Sequence, residues 1–157
     1  MKGTRQVFTR MAILSLLCCA LLAMSARRSA AQTPTAPQAI STLTVRVTGV
    51  RNATGSLRVT LQRDANVIDV RTVEVDAKTL TGQVVFDKLP QGAYSVSVLH
   101  DENMNGKLDF DSMGMPVEGY GASNNPEKRM GPPNSEETIF PLKQPQVTTE
   151  IKLIYWP

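Results

Sequence analysis

The run His100-Asp101-Glu102-Asn103-Met104-Asn105-Gly106-Lys107-Leu108-Asp109-Phe110-Asp111 places short oxygen-bearing side chains at alternate positions. Asp101, Asn103 and Asn105 can curl around one centre. Gly106 stands where the chain must bend sharply, Lys107 can offer its backbone carbonyl, and Asp109 can ligate directly or through water. These are positions 1, 3, 5, 6, 7 and 9 of a helix–loop–helix calcium loop, and an all-oxygen donor set selects a hard cation such as Ca²⁺. The twelfth position, where a bidentate Glu belongs, is Ser112. Asp111, one residue earlier, is the nearest replacement, and Glu118 is a more distant one. A poor twelfth ligand predicts weak affinity, nearer the ~10⁻⁴–10⁻³ M of extracellular modules than that of a cytosolic sensor. The same residues have a second reading. Asn105-Gly106 is a strong two-residue hairpin signal, and Asn and Asp favour turns without any metal.

A catalytic reading must use His100, the single histidine. Asp101, Glu102 or Asp109 would orient it in a hydrolase. Ser123 is the nucleophile such an enzyme would use, but Gly-Tyr-Gly-Ala-Ser is not the Gly-x-Ser-x-Gly elbow of a strand–turn–helix. His100 also shares strand parity with Tyr94, Val96 and Val98, which places it on a core face beside the loop. One His without Cys does not make a tetrahedral zinc site. Farther on, Gly119 and Gly121 flank Tyr120, whose ring and hydroxyl, with Ser123 and Asn124, form a candidate binding loop for a sugar or peptide. The competing reading is a set of turns closed by side-chain-to-backbone bonds. Met113 and Met115 read as apolar plugs, since soft thioethers do not suit a hard-oxygen site.

These residues need a scaffold, and the chain divides before it. Lys2, Arg5 and Arg10 form a basic start, and Met11 to Met24 is apolar but shorter than the roughly 20 residues a membrane span needs. Small residues follow; Ser29-Ala30-Ala31 fits cleavage before Gln32, and Ser25-Ala26 is an earlier alternative. Residues 1–31 read as a signal peptide, so the protein is expected to be periplasmic or secreted. Residues 32–41, with Pro34 and Pro37, read as a flexible linker, and 42–157 as one domain. Of 17 Lys and Arg, five precede Gln32, whereas all 14 Asp and Glu follow it, so the mature charge is 12 − 14, about −2. No basic stripe is left for nucleic acid. Both cysteines, Cys18 and Cys19, leave with the leader, so the domain has no disulfide and must be held by its core.

Within that domain the period is two. Leu43, Val45 and Val47 alternate with polar residues, as do Leu57, Val59 and Leu61, and the turn at Asn52–Gly55 predicts a hairpin between these strands. Ile68, Val70, Val73 and Val75 predict a third strand with a bulge between Val70 and Val73. Val84 to Leu89 is a fourth, and Tyr94, Val96 and Val98 mark a fifth that runs into His100. Thr138 to Leu142 is a short candidate, and Ile151, Leu153 and Tyr155 mark the last. With no helical period, this predicts an all-β, antiparallel sandwich of roughly seven strands with one long loop from Asp101 to about Glu137. A connection of that length is functional or disordered.

Two resemblances follow. Leu89-Pro90-Gln91-Gly92-Ala93-Tyr94 resembles the L-P-x-G-x-Y element of transthyretin-like and carboxypeptidase-regulatory-like sandwich modules. The loop motif, followed by Gly114-Met115-Pro116-Val117-Glu118-Gly119-Tyr120-Gly121-Ala122-Ser123-Asn124-Asn125 and Gly131-Pro132-Pro133, resembles the secreted bacterial family known as domain of unknown function 2141. That resemblance spans about Thr42 to Trp156. It implies an exported bacterial β-sandwich with no established activity. The expected function is a non-catalytic exported module with a structural Ca²⁺ held by Asp101, Asn103, Asn105, Lys107, Asp109 and Asp111. Its partner would be a protein or carbohydrate at the cell envelope, and the alternative is a hydrolase using His100.

Overall fold

The computed structural model describes residues 39–128 and 131–156. The expected leader, its cleavage before Gln32 and most of the linker lie outside the described residues. Among the described residues there are eight strands: β1 (Ile40–Thr48), β2 (Ser56–Arg63), β3 (Asn66–Val73), β4 (Gly82–Pro90), β5 (Gly92–Asp101), β6 (Gly119–Ala122), β7 (Phe140–Leu142) and β8 (Gln146–Lys152). One helical turn, α1 (Ser135–Thr138), precedes β7. They form an all-β sandwich. One sheet has the order β4-β1-β8; the other has the order β3-β2-β5-β6, with β7 on the end of β5.

The period-two stretches face one another as expected. Leu43, Val45 and Val47 of β1, Leu57, Val59 and Leu61 of β2, Tyr94, Val96 and Val98 of β5 and Ile151 of β8 are all buried in one core. Burial of each such side chain contributes roughly 1.5–3 kcal/mol, which is what holds a domain without disulfides. The motif Leu89-Pro90-Gln91-Gly92-Ala93-Tyr94 turns the chain from β4 in one sheet to β5 in the other, and the Tyr94 hydroxyl donates to the Pro90 carbonyl at 2.6 Å.

Several expectations are corrected. β1 and β2 do not pair as a hairpin: β1 lies between β4 and β8, and the 49–55 connection carries the chain to the opposite sheet. Two strands with strong inward faces can bury them against each other across a sandwich as readily as side by side. Every strand pair is antiparallel except β1–β8, which is parallel: the chain crosses to the first sheet for β4, leaves it for β5, β6 and β7, and on its last return lays β8 along the free edge of β1 in the same direction. The irregularity in β2–β3 is opposite Ile68, between the pairs Leu61↔Asp69 and Gln62↔Val67, rather than between Val70 and Val73. The true hairpin joins these two strands, with Asp64 and Ala65 both at positive φ, the backbone that a tight two-residue turn requires.

The long loop also contains a strand. β6 has the sequence Gly-Tyr-Gly-Ala and no apolar alternation, yet it pairs with Ser97–His100 of β5. Its glycines face the core at positions with no room for a side chain. A Cβ on Gly121 would come 2.8 Å from Cγ2 of Ile151, and one on Gly119 would run into the Tyr155 ring. The glycines allow β6 to pass close to the opposite layer.

Candidate functional site

β5 delivers Asp101 to the mouth of the loop, where its carboxylate is 4% exposed. It accepts from Asn105 N at 3.0 Å and Gly106 N at 2.7 Å. The Asn103 and Asn105 side-chain amides donate to Oδ2 of Asp109, and the Lys107 N–H donates to Oδ1 of Asn105. The loop thus links Asp101, Asn103, Asn105 and Asp109 in one hydrogen-bond network, with backbone and side-chain N–H groups turned onto their oxygens. Asp111 is not brought to that centre. Residues 109–117 fold back as a small hairpin, with the Asp111 N–H bonded to the Met115 carbonyl and the Val117 N–H to the Asp109 carbonyl. The Asp111 carboxylate caps the hairpin tip, accepting from Met113 N and Met115 N at 2.8 and 2.9 Å.

The fold-back returns Glu118 to the start of the loop. It is 4% exposed, and its two oxygens accept from Glu102 N at 2.9 Å and Asp109 N at 3.2 Å. Among the described residues neither Asp101 nor Glu118 forms a salt bridge. A divalent hard ion fits the chemistry of this donor set: two nearly buried carboxylates, a third at Asp109, and amide and carbonyl oxygens. In this geometry the carboxylates are taken up by N–H donors, and among the described residues no three His, Cys, Asp or Glu side chains form a ready cage.

Behind the loop lies a polar cluster. His100 is 0% exposed. Its Nε2 is 2.8 Å from the Thr54 carbonyl, which can only accept, so Nε2 carries the proton in the neutral ring. Nδ1 then accepts from the Tyr155 hydroxyl at 2.8 Å, and that hydroxyl accepts from Arg51 N at 3.2 Å. The Arg51 side chain bonds Glu102 at 2.7 Å and the Val117 carbonyl at 2.9 Å, clamping the loop to the sandwich. Burial pushes the Glu102 carboxyl up, but the bonds from Arg51 and Asn52 outweigh it and hold the group below its ordinary 4.5. Burial pushes the Tyr155 hydroxyl above its ordinary 10.

The outer face of the larger sheet carries a cleft of about 560 Å³. Its floor is two rows of outward-facing side chains in register: Arg58, Leu99 and Tyr120, then Thr60, Ser97 and Ala122. Leu108, Phe110 and Met115 form one wall, so the loop after β5 and its hairpin are part of the cleft. Pro126, Pro132 and Pro133 form another, and Trp156 closes an end. Trp156 Nε1–H donates to the Tyr120 hydroxyl at 2.9 Å, which ties the two cleft-lining rings together.

The model of the family described as an uncharacterized protein conserved in bacteria (DUF2141) matches residues 45–150, more than half of the chain. The chain belongs to that family. No curated protein and no solved structure matches it.

Within this DUF2141 chain the expected ligand residues separate. Tyr120 lines the cleft. Ser123 is fully buried: its Oγ accepts from Val96 N and donates to the Thr138 carbonyl, tying β5 to α1, so it offers no oxygen to a ligand. Asn124, at φ 65°, donates to the Glu137 and Ile139 carbonyls and serves as a turn. Glu118, Arg58, Leu99 and Trp156 carry more of the site than their sequence positions suggest. The signal for Arg58 and Leu99 is the outward parity of their strands. Glu118 was the more distant of the two candidates for the twelfth position, and only the hairpin brings it back to the loop.

Proposed function

We propose that this chain is an exported, non-catalytic binding module whose cleft is walled by a loop that Ca²⁺ orders. The observation that carries the reading is the cleft itself. Its volume lies within the roughly 300–1,000 Å³ of small-molecule sites, and it is lined mainly by carbon with a few polar groups. Calcium at Asp101, Asn103, Asn105, the Lys107 carbonyl and Asp109 would stiffen the wall that bears Leu108 and Phe110. Glu118, whose oxygens accept from Glu102 N and Asp109 N, would complete the set in place of Asp111, which caps the hairpin tip. The non-catalytic reading is supported by His100, whose two ring nitrogens are both engaged and which has no exposed surface. A hydrolase would need one of them to face a substrate. Among the described residues no helix is long and apolar enough to cross a membrane.

The test uses Trp156, the single tryptophan. Its emission should respond saturably to a small apolar probe such as anilinonaphthalene sulfonate. Leu99→Trp, read by the probe's own fluorescence, should block the cleft. A probe that binds equally well to this variant would remove the cleft reading. Intact-mass measurement of protein from the host envelope tests export: a mass starting near Gln32 is expected, and a full-length cytoplasmic chain would overturn it.

A further inference from the structure

The cleft is apolar, but it has a basic bias. Arg58, Lys107, Lys128 and Lys152 line it against one carboxylate, Glu127, although the chain after Gln32 carries 12 Lys and Arg against 14 Asp and Glu. The positive charge is therefore local. Lys128 is already occupied, with Nζ 2.9 Å from the Tyr155 carbonyl and 4.0 Å from the Trp156 ring centre. Arg58 differs. It stands half-buried on the sheet floor beside Leu99, and among the described residues its guanidinium makes no ion pair and no hydrogen bond. A cation partly withdrawn from water beside carbon surface is costly unless it is paired. A guanidinium presents a planar fork of donors that matches a carboxylate in a two-point contact.

We propose that the cleft takes a free single-chain amphiphile with a carboxylate head, the head on Arg58 and the chain along Leu99 and Tyr120 beneath Phe110. This rests on the cleft reading above and names its ligand class. A carbohydrate fits less well. Sugars require many donors and acceptors, whereas the hydroxyl of Tyr120 and the indole N–H of Trp156 already bond each other, and the walls are Leu, Met and Pro. Side chains of that kind suit methylene groups, whose transfer from water contributes about 0.8 kcal/mol each.

The experiment follows Trp156 emission of the mature protein with laurate, dodecanol and dodecyltrimethylammonium, each below its aggregation concentration. Laurate should bind at least tenfold more tightly than dodecanol, and the cationic chain least. Arg58→Gln should abolish laurate's advantage over dodecanol without lowering the unfolding midpoint, and Arg58→Lys should restore part of it. If the three chains bind alike, or Arg58→Gln leaves the preference intact, the head-group assignment is overturned and the cleft remains. If no chain binds, dodecanol included, the cleft reading falls with it. Phosphatidylglycerol vesicles supply the remaining arm. The protein should stay in the supernatant on sedimentation, and retention on vesicles without binding of monomeric laurate would overturn the proposal in favour of a membrane surface.

Discussion

The Tyr155 hydroxyl lies 2.8 Å from Nδ1 of His100 and links the end of the chain to the strand that carries the loop. Removing that oxygen leaves a buried ring nitrogen without a donor and the Arg51 N–H without its acceptor. An unsatisfied buried group costs about 1–3 kcal/mol. Tyr155→Phe should lower the thermal midpoint by a corresponding amount with little change in far-ultraviolet circular dichroism. An unchanged midpoint would mean that the cluster is not structural.

Acid should loosen the same corner. The Glu102 carboxyl is held below 4.5 in the folded state, so the unfolded chain takes up its proton first. Its contribution to stability is present above about pH 4.5 and is lost as pH falls through the lower folded value. Chemical unfolding between pH 6 and pH 3 should show a shallower acid limb for Glu102→Gln than for the parent chain. Parallel limbs would show that the Arg51–Glu102 pair does not contribute.

The two glycine classes should separate cleanly. Gly121→Ala would press a methyl against Ile151 and the Lys152 carbonyl, at 2.8 and 3.0 Å. Overpacking of this kind costs about 1–3 kcal/mol. Replacing Gly106, whose position opens onto space at φ 78°, leaves only backbone strain, roughly 1 kcal/mol. Urea midpoints that rank the two variants in the reverse order would contradict the close approach of β6 to β8.

Calcium should stabilise the mature protein. At free ion about a hundred times the dissociation constant, the gain is ~2.7 kcal/mol by mass action. Thermal unfolding in millimolar Ca²⁺ and in chelator should differ, and Mg²⁺ should do less because it demands a tight octahedron. Asp101→Ala should abolish the difference. Glu118→Gln should weaken it more than Asp111→Asn, which only caps the hairpin tip. Coincident curves without binding heat would leave Asn105-Gly106 as a plain turn.

Strand register gives a last contrast. Val96 is buried in the core, whereas Ser97 faces the cleft. Val96→Ala should cost about 2 kcal/mol or more, and Ser97→Ala a few tenths. Equal effects would place β5 one residue out of register.

Alternation in Leu43–Val47, Leu57–Leu61 and Tyr94–Val98 was enough to determine the strands and the inward face, because side chains on a strand alternate sides and only one side can be apolar. The same parity put His100 in the core, and the spacing of Asp101, Asn103, Asn105 and Asp109 marked the loop, because turn geometry is local. Local pattern does not state which strands are neighbours. The pairing of β1 with β4 and β8 rather than β2, and the parallel run of β1 with β8, were settled by how two sheets cover each other's apolar faces. β6 was hidden because its inward positions are glycines, whose reason is the neighbouring layer. Glu118 meets Asp109 only through the hairpin at 109–117. Arg58, Leu99, Tyr120 and Trp156 lie far apart in the chain and become one cleft only when β2, β5 and β6 lie side by side and the C-terminal residues fold over them, since a concave surface is a property of packed elements and not of any one of them.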